Sequence, residues 1–271
     1  MSLPAPTTSG AALVTGASAG IGAAIAAELA ARGHNLVLVA RRKDRLDEVA
    51  QTLAAAHGIR AETLGCDLGK AASRQRLAGR IESLGLTIEV LVNNAGFATG
   101  GAFADADPAR ELEQVRVLVE AVVALTSAFL PGMAARRRGA ILNVASTAGM
   151  QPLPYSAGYS AAKAYVLTFS EALHQEARGS GVTVTALAPG PVSTEFWDVA
   201  GWEAGGQAFE KAVPRPAWVT PEETAQAGVK GLEDGRRVVV PGLQVRTAML
   251  AARYLPNALK LPVIERVMRR H

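Results

Sequence analysis

Residues Ala11–Arg32 read AALVTGASAGIGAAIAAELAAR, and this stretch decides the fold. Its apolar start predicts a buried parallel strand. Gly16, Gly20 and Gly22 follow among small residues, and Ile21–Ala31 predicts an Ala-rich helix. A strand, a glycine turn and a helix let the backbone approach a phosphate and aim the free N–H groups of the helix's first turn at it. The alternative is a tight turn in which the glycines only pack.

Strand-like and helical patterns alternate along the rest of the chain. Short apolar runs predict further strands over 35–40, 60–64, 88–92, 140–145, 182–187 and 237–240. Amphipathic patterns predict helices over 43–57, 71–84, 108–136, 157–178 and 221–233, with Asp107 and a Thr220-to-Glu223 capping box at two N-termini. This alternation predicts an α/β fold of the Rossmann type, a doubly wound parallel sheet of seven strands with helices on both faces. We expect residues 1–271 to form a single domain, with a core over about 10–242 and a helical extension over about 243–271.

The composition argues against several classes of function. Apolar residues make up 49% of the chain, enough for a large core, and the net charge of +4 is a mild excess. The most basic stretches are Arg136-Arg137-Arg138 and the last few residues, and no basic face has interleaved aromatics, so we expect no nucleic-acid partner. Cys66 is the only cysteine, which favours a reducing cytoplasm, and the N-terminus lacks the pattern of a signal peptide. His34, His57, His174 and His271 show no ligand spacing, so no metal site is predicted.

One apolar stretch, Val115–Met133, is nearly long enough to cross a bilayer. Arg116 and Glu120 interrupt it, and Pro131-Gly132 end it. We therefore expect a buried or interface helix instead of a membrane span.

Several motifs follow the glycine turn in a fixed order. They are Thr15–Gly22 (TGASAGIG), Asn93–Gly96 (NNAG), Ser146, Tyr159–Lys163 (YSAAK) and Pro189-Gly190 with Thr194. In order and placement across about residues 10–240, this set resembles the short-chain dehydrogenase/reductase family, in its NADP-preferring type. The resemblance implies an oxidoreductase that moves hydride between a nicotinamide and a carbonyl or secondary alcohol.

The resemblance also implies the catalytic residues: Tyr159 as proton donor or acceptor, Lys163 as a second contact to the nicotinamide ribose, and Ser146 to orient the substrate. Residues four apart on a helix share a face, so Tyr159 and Lys163 project to the same side. A nearby ammonium and ribose hydroxyls would lower the pKa of the phenol. We expect the Ser146 hydroxyl to bind a substrate carbonyl oxygen.

The residues after the second strand indicate the nucleotide. An NAD enzyme typically has an acidic residue about 20 positions after the glycines. Here Arg41 and Arg42 occupy that place, and guanidinium groups suit a 2′-phosphate, so we predict NADP(H). The predicted cofactor-binding set, partly implied by the resemblance, is Gly16, Ser18, Ala19, Gly20, Ile21, Gly22, Arg41, Arg42, Asp67, Leu68, Asn94, Ala95, Gly96, Tyr159, Lys163, Pro189, Gly190, Val192 and Thr194.

One position departs from the family pattern. The family's long helix usually has an asparagine that anchors a water beside the lysine, and here that position is Leu118. Leucine cannot hydrogen-bond a water. The alternative function is therefore a cofactor-binding regulatory or scaffold protein with little turnover.

Two regions lie outside the motifs. Pro191–Val219 holds Phe196, Trp197, Trp202, Phe209 and Trp218, which is typical of a lid over an apolar substrate, although a surface excursion anchored by tryptophans has the same composition. Val245–His271 mixes apolar and basic residues, and Pro256 and Pro262 predict a break into short helices. We expect this tail to pack on protein, over the pocket or at a subunit interface, with an anionic membrane surface as the alternative. The resemblance implies a dimer or tetramer formed through the long helix and the Tyr-bearing helix.

Overall fold

Seven parallel strands form one sheet. In a computed structural model, which describes residues 3–194, 196 and 218–268, the strands are β1 (Gly10–Thr15), β2 (Asn35–Ala40), β3 (Ala61–Gly65), β4 (Thr87–Asn93), β5 (Gly139–Val144), β6 (Val182–Leu187) and β7 (Val238–Val239). Their order in the sheet is β3-β2-β1-β4-β5-β6-β7, with every pairing parallel. The predicted fold class is confirmed.

Helices connect the strands and cover both faces of the sheet. They are α1 (Gly20–Ala30), α2 (Lys43–His57), α3 (Ala71–Glu82), α4 (Pro108–Ala135), α5 (Ala157–Glu176), α6 (Pro221–Glu233), α7 (Leu243–Tyr254) and α8 (Asn257–Met268). Both expected N-terminal caps are present. The Asp107 carboxylate accepts from the Ala109 amide at 2.9 Å, and Thr220 and Glu223 form the capping box at α6.

Strand β1 shows how the sheet is buried on both sides. Ala12 and Val14 pack with α1, α2 and α6, whereas Ala11 and Leu13 point to the other face and pack with α3, α4 and α5. Successive strand residues face opposite sides, so a strand buried on both faces must be apolar throughout. This requirement explains the unbroken apolar runs in the sequence.

The long helix α4 departs from the predicted regular helix. Residues Arg116–Glu120 form a π-helical turn within it. By length and composition α4 could cross a bilayer, yet Leu125 and Met133 on its inner face are almost fully buried in the core beneath the sheet. Leu112 and Val115 lie exposed on its outer face.

The tail forms two helices, α7 and α8, and one detail of the prediction is wrong. The chain breaks between them at Leu255-Pro256, but α8 continues through Pro262. Pro262 is exposed, so water can hydrate the carbonyl that loses its N–H partner, which reduces the cost of a proline inside a helix.

The sheet order creates a crevice. Strands β1 and β4 are neighbours, yet the chain leaves them toward opposite edges of the sheet. In doubly wound sheets, ligands bind outside the carboxyl ends of the strands at such a switch point. Gly16 follows β1 there, and Asn94 follows β4.

Candidate active site

The glycine turn has no room for side chains. A Cβ at Gly22 would lie 2.3 Å from the Gly16 carbonyl oxygen, and one at Gly16 would lie 2.8 Å from the Cα of Ala95. Gly16 and Gly20 also have positive φ values of 67° and 56°, which glycine adopts without strain. Helix α1 has no side-chain cap within the described ranges, so its first-turn N–H groups are available to an anion.

Asn94 holds the NNAG segment against this turn. Its side-chain amide donates to the Thr15 carbonyl at 2.9 Å, and its backbone N–H donates to the Thr15 hydroxyl at 2.9 Å. The same hydroxyl donates to the Val92 carbonyl at 3.1 Å. These bonds bring Ala95 beside the glycine turn and give Asn94 a positioning role. A direct contact of Asn94 with cofactor stays a prediction.

The three predicted catalytic residues come together. Ser146 follows β5 and caps a short 3-10 turn, where its hydroxyl accepts from the Ala148 amide at 3.1 Å. Tyr159 and Lys163 project from the first turns of α5, with the Lys163 Nζ 5.7 Å from the centroid of the Tyr159 ring. Ser146 is hydrogen-bonded to the Tyr159 phenol, so the structure brings the three side chains together, and their catalytic roles stay a prediction.

Burial shifts the pKa values of Tyr159 and Lys163 in opposite directions. Desolvation raises the pKa of Tyr159 to about 12, although its hydrogen bond with Ser146 acts in the lowering direction. Desolvation also lowers the pKa of Lys163 to about 8. Without ribose hydroxyls beside it the phenol thus has a raised pKa, because the cost of burying a phenolate exceeds the effect of Ser146. The lowering expected beside a bound ribose stays a prediction.

Lys163 is fixed by groups that the motifs did not reveal. Its Nζ donates to the Val144 carbonyl at 2.7 Å. Gly149 packs so closely on α5 that a Cβ there would lie 2.5 Å from the Lys163 carbonyl carbon. The only available signal in the sequence was a glycine three residues after Ser146.

A buried polar network, also missed, ties the sheet to α5. The Asn93 side-chain amide donates to the Asn143 side-chain oxygen Oδ1 at 2.8 Å, and the Asn143 side-chain amide donates to the Ser170 hydroxyl at 2.9 Å. Asn143 and Ser170 are fully buried. Two asparagines inside otherwise apolar strands were the signal for this network, which fixes α5 against β4 and β5.

Leu118 packs close to Gly96 and Lys163. It sits in the π-helical turn of α4, is only 1% exposed, and places its Cδ2 atom 2.6 Å from where a Gly96 Cβ would stand. The Lys163 Nζ is 3.9 Å from that same point. A methyl group thus occupies the region beside the lysine where the family places an amide.

A second part of the site lies at the carboxyl ends of β2 and β3. A cleft of about 370 Å³ is lined by Arg41, Asp67, Arg76 and Arg80 among others, and not by Tyr159. Arg41 is 60% exposed and lies 3.4 Å from a Glu113 carboxylate oxygen, a weak pairing that an incoming anion can replace. Sequence reasoning missed Arg76 and Arg80, whose four-residue spacing on the helix after Asp67 was the available signal.

The structure also locates several other predicted cofactor residues, whose contact with a cofactor stays a prediction. Ser18 accepts a hydrogen bond from Arg42 at 3.4 Å, and Ala19 and Ile21 flank the start of α1. Leu68 is buried. The Pro189 carbonyl lies 3.5 Å from the Ser146 hydroxyl oxygen.

The segment expected to be a lid, Pro191–Val219, begins and ends close to Tyr159. Val192 and Val219 pair in a short parallel bridge at its base. Thr194 lies against Gly20, and the Phe196 ring is 5.7 Å from the Tyr159 ring. Of the other expected lid aromatics, Trp218 lies at the base, whereas Trp197, Trp202 and Phe209 lie outside the described residues.

The tail covers part of the same end. Val245 of α7 is buried, with its Cγ1 3.0 Å from where a Gly190 Cβ would stand, and α7 also contacts the turn Thr147–Met150. Among the residues that the structure describes, no group of three or more His, Cys, Asp or Glu is placed to hold a metal ion.

Comparison with known proteins gives consistent matches. Residues 10–202 match the family described as short chain dehydrogenase. A very-long-chain 3-oxoacyl-CoA reductase of Anas platyrhynchos is 38% identical over 191 residues, which cover 68% of this chain and 60% of that protein, so the chain matches less than two thirds of this relative. A short-chain dehydrogenase of Sphingobium yanoikuyae, solved in complex with NADPH, superposes with a TM-score of 0.79 at 32% identity and covers 94% of this chain and 95% of its own. The bulky-bulky ketone specific alcohol dehydrogenase of Comamonas testosteroni superposes with a TM-score of 0.74 at 28% identity, covering 92% and 100%.

Proposed function

This chain belongs to the short-chain dehydrogenase family, and from that premise we propose that it is an NADP(H)-dependent oxidoreductase that reduces the carbonyl of an apolar substrate to a secondary alcohol. The observation on which the proposal rests is the grouping of Ser146, Tyr159 and Lys163 beside a glycine turn that no side chain fills. The NADPH complex of the Sphingobium relative supports the choice of cofactor.

The residues present fit a dinucleotide. The turn at Gly16 to Gly22 and the uncapped start of α1 would hold the pyrophosphate. Arg41, Arg42 and Ser18 would hold the 2′-phosphate, because guanidinium groups bind phosphate bidentately. Lys163 would bind the nicotinamide ribose. When bound, NADPH supplies the hydride that reduces the carbonyl carbon.

The chain's own residues manage the carbonyl oxygen and the proton. The Ser146 hydroxyl donates a hydrogen bond to the substrate carbonyl oxygen and stabilises the negative charge that develops there. The Tyr159 phenol, whose pKa of about 12 keeps it protonated at neutral pH, donates its proton to the same oxygen. The Lys163 ammonium favours the phenolate that remains, until a proton returns from solvent.

The substrate class follows from the site and from the relatives. Phe196 beside Tyr159 provides an apolar wall, and the relatives act on 3-oxoacyl-CoA and on bulky ketones according to their names. A 3-oxoacyl thioester is therefore the first substrate to test, followed by bulky ketones. A second candidate, a cofactor-binding protein with little turnover, is favoured only by Leu118. Oxidation of NADPH by a 3-oxoacyl thioester would exclude it.

The cofactor choice is tested by a charge reversal. Two charge-assisted contacts to a 2′-phosphate favour NADPH over NADH by about 100-fold or more, since each contributes about 1.5–3 kcal/mol. Arg41→Asp should shrink this preference at least tenfold. Arg60→Asp is the matched control, because Arg60 precedes β3 at the opposite end from the crevice. Equal NADPH preference in Arg41→Asp and the native chain would refute the assignment.

We further propose that the enzyme is a cytoplasmic dimer or tetramer. The exposed apolar residues Leu112 and Val115 on α4 and Tyr165 on α5 lie on the two helices through which the resemblance implies association. Light scattering of the purified chain measures the mass directly, and a monomer at micromolar concentration would contradict the proposal.

A further inference from the structure

The positive charge of the chain is concentrated at its end. Residues 243–271 contain six Lys and Arg residues and one acidic residue, Glu265, so this segment has a net charge of +5, whereas the whole chain has +4. The preceding 242 residues are therefore close to neutral. The basic character of the protein belongs to α7, α8 and the residues that follow them.

Helix α8 presents an apolar stripe to solvent. Leu259 is 64% exposed, Val263 is 65% exposed and Val267 is 36% exposed, and Leu255, just before the helix, is 49% exposed. Leu259, Val263 and Val267 are spaced by four, so they lie along one side of the helix, and Leu255 stands in extended backbone just before it. We call these four residues the α8 stripe.

The side chains on the opposite side of α8 are more buried than the stripe. Met268 is buried, and Leu261 and Ile264 are partly buried. At about 100° per residue these three lie more than about 90° from the centre of the stripe. The more buried side of α8 therefore lies opposite the stripe, which faces outward.

Two cations border the stripe. On a helix of 3.6 residues per turn, Lys260 and Arg266 lie about 60° to either side of Val263, and Glu265 lies about 160° from it. Neither cation makes an ion pair within the described part of the chain. An apolar stripe between two basic edges, with the acid on the far side, is the arrangement of helices that lie in the plane of an anionic membrane surface.

The size of the stripe argues against a protein partner. An aliphatic side chain buries about 60–120 Å², so the exposed fractions of the four residues offer on the order of 250 Å². A stable protein interface buries about 800 Å² on each partner. A membrane surface needs no such area, because each cation near anionic headgroups increases binding about fivefold independently.

We propose that the α8 stripe and its basic edges dock this protein on an anionic lipid surface. The aliphatic side chains of the stripe enter the boundary between headgroups and acyl chains, and Lys260 and Arg266 contact lipid phosphates or carboxylates. Helix α7, which packs beside Gly190, connects this surface to the substrate end of the crevice.

The test uses the full chain and vesicles of phosphatidylcholine with 30% phosphatidylserine, compared with phosphatidylcholine alone, in a sedimentation assay. We expect at least tenfold stronger binding to the anionic vesicles, with loss of that difference in 0.5 M NaCl. Lys260→Gln with Arg266→Gln should weaken binding about 10- to 25-fold. Leu259→Ser with Val263→Ser should weaken it at least tenfold.

Matched controls separate a local surface from a general charge effect. Arg178→Gln with Arg236→Gln removes two exposed cations elsewhere, and Leu243→Ser removes an exposed apolar side chain outside the stripe. Both should bind within twofold of the native chain. Circular dichroism and the thermal midpoint show whether each variant is folded.

Three results would overturn the proposal. The first is no binding of the full chain to anionic vesicles at low salt. The second is vesicle binding that is unchanged both in Lys260→Gln with Arg266→Gln and in Leu259→Ser with Val263→Ser. The third is a lower molecular mass in solution for Leu259→Ser with Val263→Ser while vesicle binding persists, because the stripe would then be a contact between copies of the chain.

Discussion

Replacing Lys163 by methionine should change how the stability of the cofactor-free protein depends on pH. Burial holds the pKa of Lys163 at about 8, whereas an unfolded lysine titrates near 10.4. Between these pH values the unfolded chain holds a proton that the folded chain has released. The stability of the native protein therefore rises with pH across this window, and below pH 8 the folded state has the full cost of a buried ammonium.

The size of the effect follows from the two pKa values. At about 1.4 kcal/mol per pH unit, the native protein should gain about 2.5 kcal/mol relative to Lys163→Met between pH 7 and pH 10. Loss of the bond to the Val144 carbonyl costs about 1–3 kcal/mol at both pH values, so it cancels in this comparison. Urea unfolding without cofactor at the two pH values measures the difference.

The matched control for this experiment is Lys230→Met. Lys230 is 63% exposed and pairs with Asp234, whose carboxyl has its pKa lowered by that lysine and does not titrate between pH 7 and pH 10. Its variant should follow the native pH dependence. The difference in the free energy of unfolding between Lys163→Met and the native protein could instead be the same at both pH values within about 0.5 kcal/mol. That result would refute the claim that burial lowers the pKa of Lys163.

Three further substitutions, one of them with a matched control, test the packing of the site. Gly22→Ala should weaken NADPH binding about 10- to 100-fold in a fluorescence titration, because its Cβ would lie 2.3 Å from a carbonyl oxygen of the turn; unchanged affinity would contradict the phosphate-binding role. Gly149→Ala should destabilise the protein by about 1–3 kcal/mol and lower kcat at least tenfold, since it displaces the Lys163 backbone. Gly79→Ala, with nothing within 4 Å of its Cβ, should be as active as the native chain and about 0.5–1 kcal/mol more stable; equal effects of the two changes would refute the specific contact. Leu118→Asn should leave NADPH affinity within threefold and preserve or raise turnover, while burial of the amide lowers thermal stability by about 1–3 kcal/mol; collapse of cofactor binding would show that Leu118 has another role.

The sequence predicted the fold well because the decisive signals are local. A strand buried on both faces must be apolar, as Leu13 and its neighbours are, and a turn at a phosphate must be glycine, as Gly16 and Gly22 are. The four-residue spacing of Tyr159 and Lys163 determined their common face of α5. These features need no knowledge of the rest of the chain.

The parts that sequence reasoning missed depend on tertiary packing. The high pKa of Tyr159 results from the protein packed around the phenol, which no motif reports. Arg76 and Arg80 line the same cleft as Arg41 although at least 35 residues separate them from it in the sequence. Pro262 stays within a helix because of its exposed position on α8, which the sequence alone did not indicate.

The central claim is that the Tyr159 phenol gives the proton that completes reduction of a substrate carbonyl. Tyr159→Phe removes that proton and keeps the ring that packs near Phe196. With NADPH and a 3-oxoacyl thioester, kcat should fall about 100- to 10,000-fold, while NADPH affinity stays within about threefold of the native value. Turnover by Tyr159→Phe within tenfold of an active native chain would contradict the account.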